Sequence, residues 1–299
     1  MIKNKIKNFI VYILSIFNLK IVNSKTSGPF DLTNKDLNPL AAQYLFGHDQ
    51  LIMNMDLSIG RTNNWFDLSN DSLDPPIFSI RNALQLNLKD EIFYNSILSN
   101  LEEHRSLTKF NNAAEFLDLD NDSCGNLENY PWWAEVNPWD SHTFEDQIKS
   151  FPNEVKNNRE VNGMRITSND PEEIIRNDLE NSLPSHATQY TKLTWQIKKN
   201  GFKYGGNHGY VTAEVFISNN KIRWKPGREG NHRVAVASAL GLKAIPVLIK
   251  KIIRIDELEY WPNVVNGIFN KDQATKIFFS IFDANPSRIH REWIEKKKQ

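Results

Sequence analysis

The chain has 299 residues, enough for one large domain or two ordinary ones at roughly 150 residues each. Hydrophobic residues at 40% and charged residues at 24% exclude a wholly disordered, collagenous or polytopic membrane protein, and 36 basic against 36 acidic residues leave no global positive field to hold nucleic acid by counterion release. A single cysteine, Cys124, excludes an intramolecular disulfide scaffold, and the absence of a Cys/His cluster excludes structural zinc.

The balance of charge is uneven along the chain. Residues 1 to 30 contain Lys3, Lys5, Lys7, Lys20 and Lys25 without one acid, and between them runs the apolar stretch Phe9 to Phe17. That stretch is well short of the ~20 residues needed to span a bilayer. It fits a helix in the membrane interface, with lysines at anionic headgroups, or a signal peptide with a small-residue site at Val22-Asn-Ser24. The interfacial helix is the preferred expectation for residues 1–24; a helix packed on its own domain is the alternative.

From Lys25 to Asp140 the pattern is irregular. Short apolar bursts, Leu51 to Met55 and Ile92 to Leu98, alternate with Asn, Asp, Ser and Pro, and helical periodicity is clear only near residues 87 to 104. Asp118, Asp120 and Asp122 suggest a calcium loop, but Ser123 and Asn129 stand where such a loop needs glycine and a bidentate glutamate, so a solvated acidic loop is expected. The segment Tyr130 to Trp133 and Pro138-Trp139-Asp140 reads as aromatic packing rather than a stacking platform. It leads into a short helix, Phe144 to Ile148, delimited by Pro152.

The most informative stretch is 193–249. Leu193 to Asn200 is expected to form a short helix ending at Gly201, with two lysines in its last turn. Val211 to Ile217 and Lys221 to Trp224 alternate with period two around Ser218-Asn-Asn220, whose asparagines tolerate the positive φ of a tight turn, so they predict an antiparallel hairpin. Pro226-Gly-Arg-Glu-Gly230 then opens onto an alanine-rich helix with Asn231 as expected N-cap and Gly241 as stop, followed by the apolar strand Ile245 to Ile249. A glycine loop at a helix N-terminus presents unpaired N–H groups and a positive dipole end, a natural phosphate site, and Arg228 and Arg233 flank it with guanidinium forks. His232, beside Arg233, is expected to contact the ligand, the alternative being a hydrogen bond within its own loop. Glu229 reads either as a base or as a salt bridge orienting an arginine.

The run Gly230-Asn-His-Arg-Val-Ala-Val-Ala-Ser-Ala-Leu-Gly-Leu-Lys-Ala-Ile-Pro-Val-Leu-Ile249 resembles the second box of the ParB/sulfiredoxin-like superfamily, and Ile197-Lys-Lys-Asn-Gly-Phe202 resembles its preceding helix. The resemblance covers about residues 185 to 255. It implies an α+β fold, a small mixed sheet with helices over 185–299, preceded by an irregular, mostly helix and loop region over 25–184. It also implies that Gly230, Asn231, His232 and Arg233, with Arg228 on the loop, hold a nucleoside di- or triphosphate with Mg²⁺. Sulfiredoxin chemistry needs a cysteine where Asn231 stands, and DNA partitioning needs a basic recognition helix that the chain after Ile249 lacks. Similarity to small-molecule kinases implies phosphoryl transfer to a small hydroxylated acceptor, or nucleotide hydrolysis, with Glu229 as candidate base and Glu214 second. The alternative is a nucleotide-sensing or interaction module without turnover; if neither carboxylate points at the phosphate site, sensing gains. Nucleic-acid binding ranks last. The expected location is cytoplasmic, peripheral at the inner membrane through residues 1–24, with export by a signal peptide as the alternative.

Overall fold

The computed structural model describes residues 28–47, 50–119, 125–161 and 168–299. In chain order these form β1 (Phe30–Asp31), α1 (Pro39–Phe46), β2 (Leu51–Asp56), α2 (Pro75–Gln85), α3 (Asp90–Leu107), α4 (Ala113–Phe116), α5 (Phe144–Val161), α6 (Pro171–Asn200), β3 (Thr212–Ser218), β4 (Lys221–Pro226), α7 (Asn231–Ala239), β5 (Ala244–Arg254), α8 (Pro262–Val265), α9 (Lys271–Phe282) and α10 (Arg291–Lys298). The expected interfacial segment 1–24, together with Asp120, Asp122 and Cys124, lies outside the described residues. Among the described residues no helix is long and apolar enough to cross a membrane.

Asn219 and Asn220 sit at φ 48° and 62°, the paired positive values that a two-residue hairpin turn requires, and the hairpin β3–β4 forms as expected. Returning through α7, the chain lays β5 parallel to β3, and β2 pairs antiparallel on the other side of β5. A short β1 completes a five-stranded mixed sheet of order β1-β2-β5-β3-β4, so the fold is α+β. The apolar burst Leu51 to Met55, unassigned from sequence, is thus a sheet strand, and the sheet draws on residues 30–56 as well as 212–254. β5 runs on to Arg254, past the expected end at Ile249.

Period-two alternation splits each strand between two layers. Ala213, Val215 and Ile217 of β3 join Met53, Met55, Ile245 and Val247 in one core, covered by α2, α3, α6 and α7. Phe216 and Ile253 face the other, built from α9 and the aromatic segment. Trp139 is 4% exposed and meets Phe216, Trp261 and Phe278 edge-on, so the packing reading of this tryptophan holds.

Three local expectations are corrected. α6 begins at Pro171, where Asp170 caps the Glu172 N–H, and runs through Pro184 before Gly201 stops it at φ 73°; the expected helix from Leu193 is only its last two turns. Pro152 lies inside α5 instead of delimiting a short helix. It is buried on the stripe of Val155 and Arg159, and Arg159 bonds Asp178 of α6 through Nε at 2.5 Å, so docking between helices offsets the missing backbone donor. Finally, the N-cap of α7 is Gly230, at φ 92° and ψ 5°, and Asn231 is the first helical residue.

Candidate functional site

The loop between β4 and α7 lies directly on the first residues of β3. Gly227 N–H donates to the Thr212 carbonyl at 2.8 Å and Thr212 N–H donates to the Glu229 carbonyl at 3.2 Å. A methyl group on Gly230 would meet Val211 Cγ2 at 2.7 Å, and one on Gly227 would meet Thr212 Oγ1 at 2.6 Å. The glycines are therefore required by close approach, and at Gly230 also by left-handed backbone. No side chain caps the start of α7, so its first N–H groups have no side-chain acceptor.

The side chains singled out from sequence diverge from this loop. Arg233 Nη1 donates to the carbonyls of His208 at 2.9 Å and Gly209 at 3.3 Å, which orients the guanidinium. It lines a cavity of about 380 Å³ with Lys203, His208 and Gln196, against an apolar wall of Leu193, Ile197 and Phe202. Burial lowers the Arg233 pKa, and the charge of Glu229 acts in the opposite sense; Glu229 itself is exposed and does not line the cavity. His232 turns beneath the helix toward α6. Its Nε2 lies 2.7 Å from His186 Nδ1, the two rings stack, and the Tyr190 ring is tilted against His232 at 4.8 Å. Burial, reinforced by His186, pushes His232 down to about 4, so the pair is neutral with one ring donating and the other accepting. Asn231 lines a third cavity of about 160 Å³ with Thr62, Asp74 and Tyr190, and its buried Oδ1 has no hydrogen-bond partner.

Arg228 and Glu214 belong elsewhere. Glu214 lies on the face of β3 that carries Phe216, away from α7, and register places it abreast of Lys225 on β4 and Lys251 on β5. Lys225 Nζ is 3.5 Å from Glu214 Oε2. Lys251 Nζ donates to Asp140 Oδ1 at 3.1 Å, and Asp140 Oδ2 accepts from the Asn137 backbone N–H and Nδ2. Burial pushes the Asp140 carboxyl up, but Lys251 and the Asn137 hydrogen bonds outweigh it and hold it below the ordinary carboxylate range. Burial likewise pushes the Lys225 ammonium down, while Glu214, Glu135 and Asp140 together raise it above its usual value. Glu214, Lys225 and Asp140 line a cavity of about 310 Å³ together with Arg228, which is paired with Glu154 at 2.7 Å and lies over Phe151. It shares no lining residue with the Arg233 cavity, and shares Asn63 and Pro226 with the cavity of Asn231.

The structure therefore separates Arg233 from both Arg228 and Glu214. Sequence reasoning missed Lys225, Asp140 and His142 in one cavity, with Lys251 bonded to Asp140, and Lys203 and Phe202 in the other. Lys225 was within reach of it, since counting outward from the Asn219-Asn220 turn pairs Glu214 with Lys225. Among the described residues no group of three His, Cys, Asp or Glu side chains could hold a metal ion. Mg²⁺ at the Arg233 cavity would therefore take its oxygens mainly from phosphate and water, a common arrangement for this ion. Comparison with protein-family models, curated proteins and solved structures found no match.

Proposed function

We propose that the chain is a nucleotide-binding protein of the ParB/sulfiredoxin-like kind, with the nucleotide in the cavity between the C-terminal end of α6 and α7 and Arg233 gripping a phosphate. The observation that carries this reading is the lining of that cavity. A guanidinium oriented by backbone carbonyls and Lys203 line it together with the apolar side chains of Leu193, Ile197 and Phe202, and no carboxylate lines it. Such a lining favours an anion with an apolar end. The Gly230-Asn-His-Arg233 order and its resemblance support the same assignment, and Mg²⁺ would enter with the phosphates.

Binding without turnover is favoured over phosphoryl transfer or hydrolysis, because Glu229 stays outside the cavity and Glu214 faces a different one. In this reading the protein is a nucleotide sensor that is peripheral at an anionic membrane surface through residues 1–24. The formal net charge of zero ranks nucleic acid last among its partners. A thermal-shift panel of ribonucleoside di- and triphosphates, with and without Mg²⁺, tests it. A ligand at ~100 times its dissociation constant adds roughly 2.7 kcal/mol of stability. A panel in which no nucleotide raises the melting temperature contradicts the proposal.

A further inference from the structure

We propose that the cavity over Glu214 and Lys225 is a second ligand site, independent of the nucleotide cavity, and that it takes a small neutral polyol of the monosaccharide class. At about 310 Å³ it falls at the lower end of ligand-pocket sizes, roughly 300–1,000 Å³. Its walls hold polar groups that are costly to bury without partners: Lys225 is 6% exposed, Asp140 7% and Gln147 4%. Two of the polar atoms buried around it, Glu214 Oε2 and His142 Nε2, have no hydrogen bond. The nearest partner of the Lys225 ammonium is that same Glu214 oxygen, at 3.5 Å, beyond the distance of a good hydrogen bond. One buried oxygen of the partly exposed Glu214 carboxylate therefore lacks a hydrogen bond beside a buried ammonium whose nearest acceptor is 3.5 Å away.

The pattern of charge selects the ligand class. The lining holds carboxylates of Glu214, Glu135 and Asp140 beside the cations Lys225 and Arg228, with Glu214 next to Lys225 and Asp140 paired with Lys251, so charges of both signs share the cavity. A phosphate drawn to Lys225 would meet Glu214 beside it, and a zwitterion finds no separated pair of charged ends. A hydroxyl donates and accepts at one atom, which matches an acceptor and a donor side by side, as at Glu214 and Lys225. Apart from Pro226, no apolar side chain lines the space, so an apolar ligand has nothing to bury against.

The test is calorimetry on the full chain with D-glucose, D-galactose, myo-inositol and glycerol, alongside glycine and inorganic phosphate. At least one polyol is expected to bind. His142→Ala, which removes an unpartnered ring and leaves the fold intact, should weaken it about tenfold, as should Glu214→Gln where that variant folds, each through loss of one hydrogen bond at a charged or buried partner. Arg233→Ala should leave polyol binding unchanged whether or not it binds nucleotide, which separates this site from the nucleotide cavity. The inference is overturned if no polyol binds at tens of millimolar, if glycine or phosphate occupies the cavity more tightly, or if folded His142→Ala binds the polyol as wild type does.

Discussion

Replacing Gly230 by alanine places a methyl group 2.7 Å from Val211 Cγ2 and 3.0 Å from Val211 Cα, on a residue whose φ of 92° L side chains rarely adopt. The left-handed backbone costs about 1–2 kcal/mol for a residue with a Cβ. Forcing an extra methyl into a packed contact costs a further 1–3 kcal/mol or so, because the loop must lift from β3 and strain the Thr212–Glu229 bond. Gly206 is the internal control: at φ 52° it has nothing within 4 Å of an added methyl, so Gly206→Ala carries the backbone cost alone. Urea denaturation of both variants reads the difference directly. Adding Val211→Ala to Gly230→Ala removes the Cγ2 contact but not the one to Cα, so the double variant should recover part of the loss beyond additivity. Equal destabilisation by Gly230→Ala and Gly206→Ala, or strict additivity in the double variant, would refute the seating of the glycine loop on β3 and with it the geometry that positions Arg233.

Acid should weaken the fold well above the carboxylate range. Burial, with the neighbouring His290 adding, pushes His104 to about 3; burial alone takes His290 to about 4, and burial with His186 takes His232 to about 4. These folded values lie below the unfolded one of about 6.5. As the pH falls through 6.5 the unfolded chain takes up protons that the folded chain refuses, and stability drops by about 1.4 kcal/mol per pH unit for each such histidine until about pH 4. Asp74, whose carboxyl burial pushes up to about 7, acts oppositely over the same window and offsets one of them; Asp74→Asn should steepen the decline. Stability that stays flat between pH 7 and 5 in the Asp74→Asn variant rules this out. Lys225→Met leaves the partly buried Glu214 carboxylate without its neighbouring ammonium and should cost about 1–3 kcal/mol, most of it restored by Lys225→Met with Glu214→Leu; chemical denaturation of the pair decides it. Pro184→Ala, at an exposed position inside α6, should stabilise by up to about 3 kcal/mol, and a lower melting temperature would contradict the account of that helix.

What could be read from sequence was local. The Asn219-Asn220 turn, the glycine stop at Gly201 and the run from Gly230 to Leu240 each carry their signal within a few residues, and each appears in the structure where the pattern placed it. α6 was cut short because residues 171 to 192 are polar and interrupted by Pro184, and only packing against α3 and α7 reveals that they continue the helix. The layout of the site was not legible for the same reason. Arg233 is aimed by a carbonyl 25 residues away, His232 is drawn inward by a ring 46 residues away, and Lys251 meets an aspartate 111 residues away. Such partners leave no periodic trace in a single sequence. The Glu214–Lys225 pair did leave one, in the register counted from the turn, and it moves Glu214 off the phosphate loop on that count alone.

The central claim rests on one side chain, and titration calorimetry of nucleotides into wild type and Arg233→Ala tests it most directly. Arg233 lines a cavity with no other guanidinium, so its loss should weaken nucleotide binding by about 1.5–3 kcal/mol, roughly ten- to hundredfold, with the fold intact. Arg233→Lys should restore only part, because an ammonium supplies charge without the planar fork. If Arg233→Ala binds every nucleotide as tightly as wild type, or wild type binds none, the Gly230 loop is a structural helix start and the nucleotide reading is wrong.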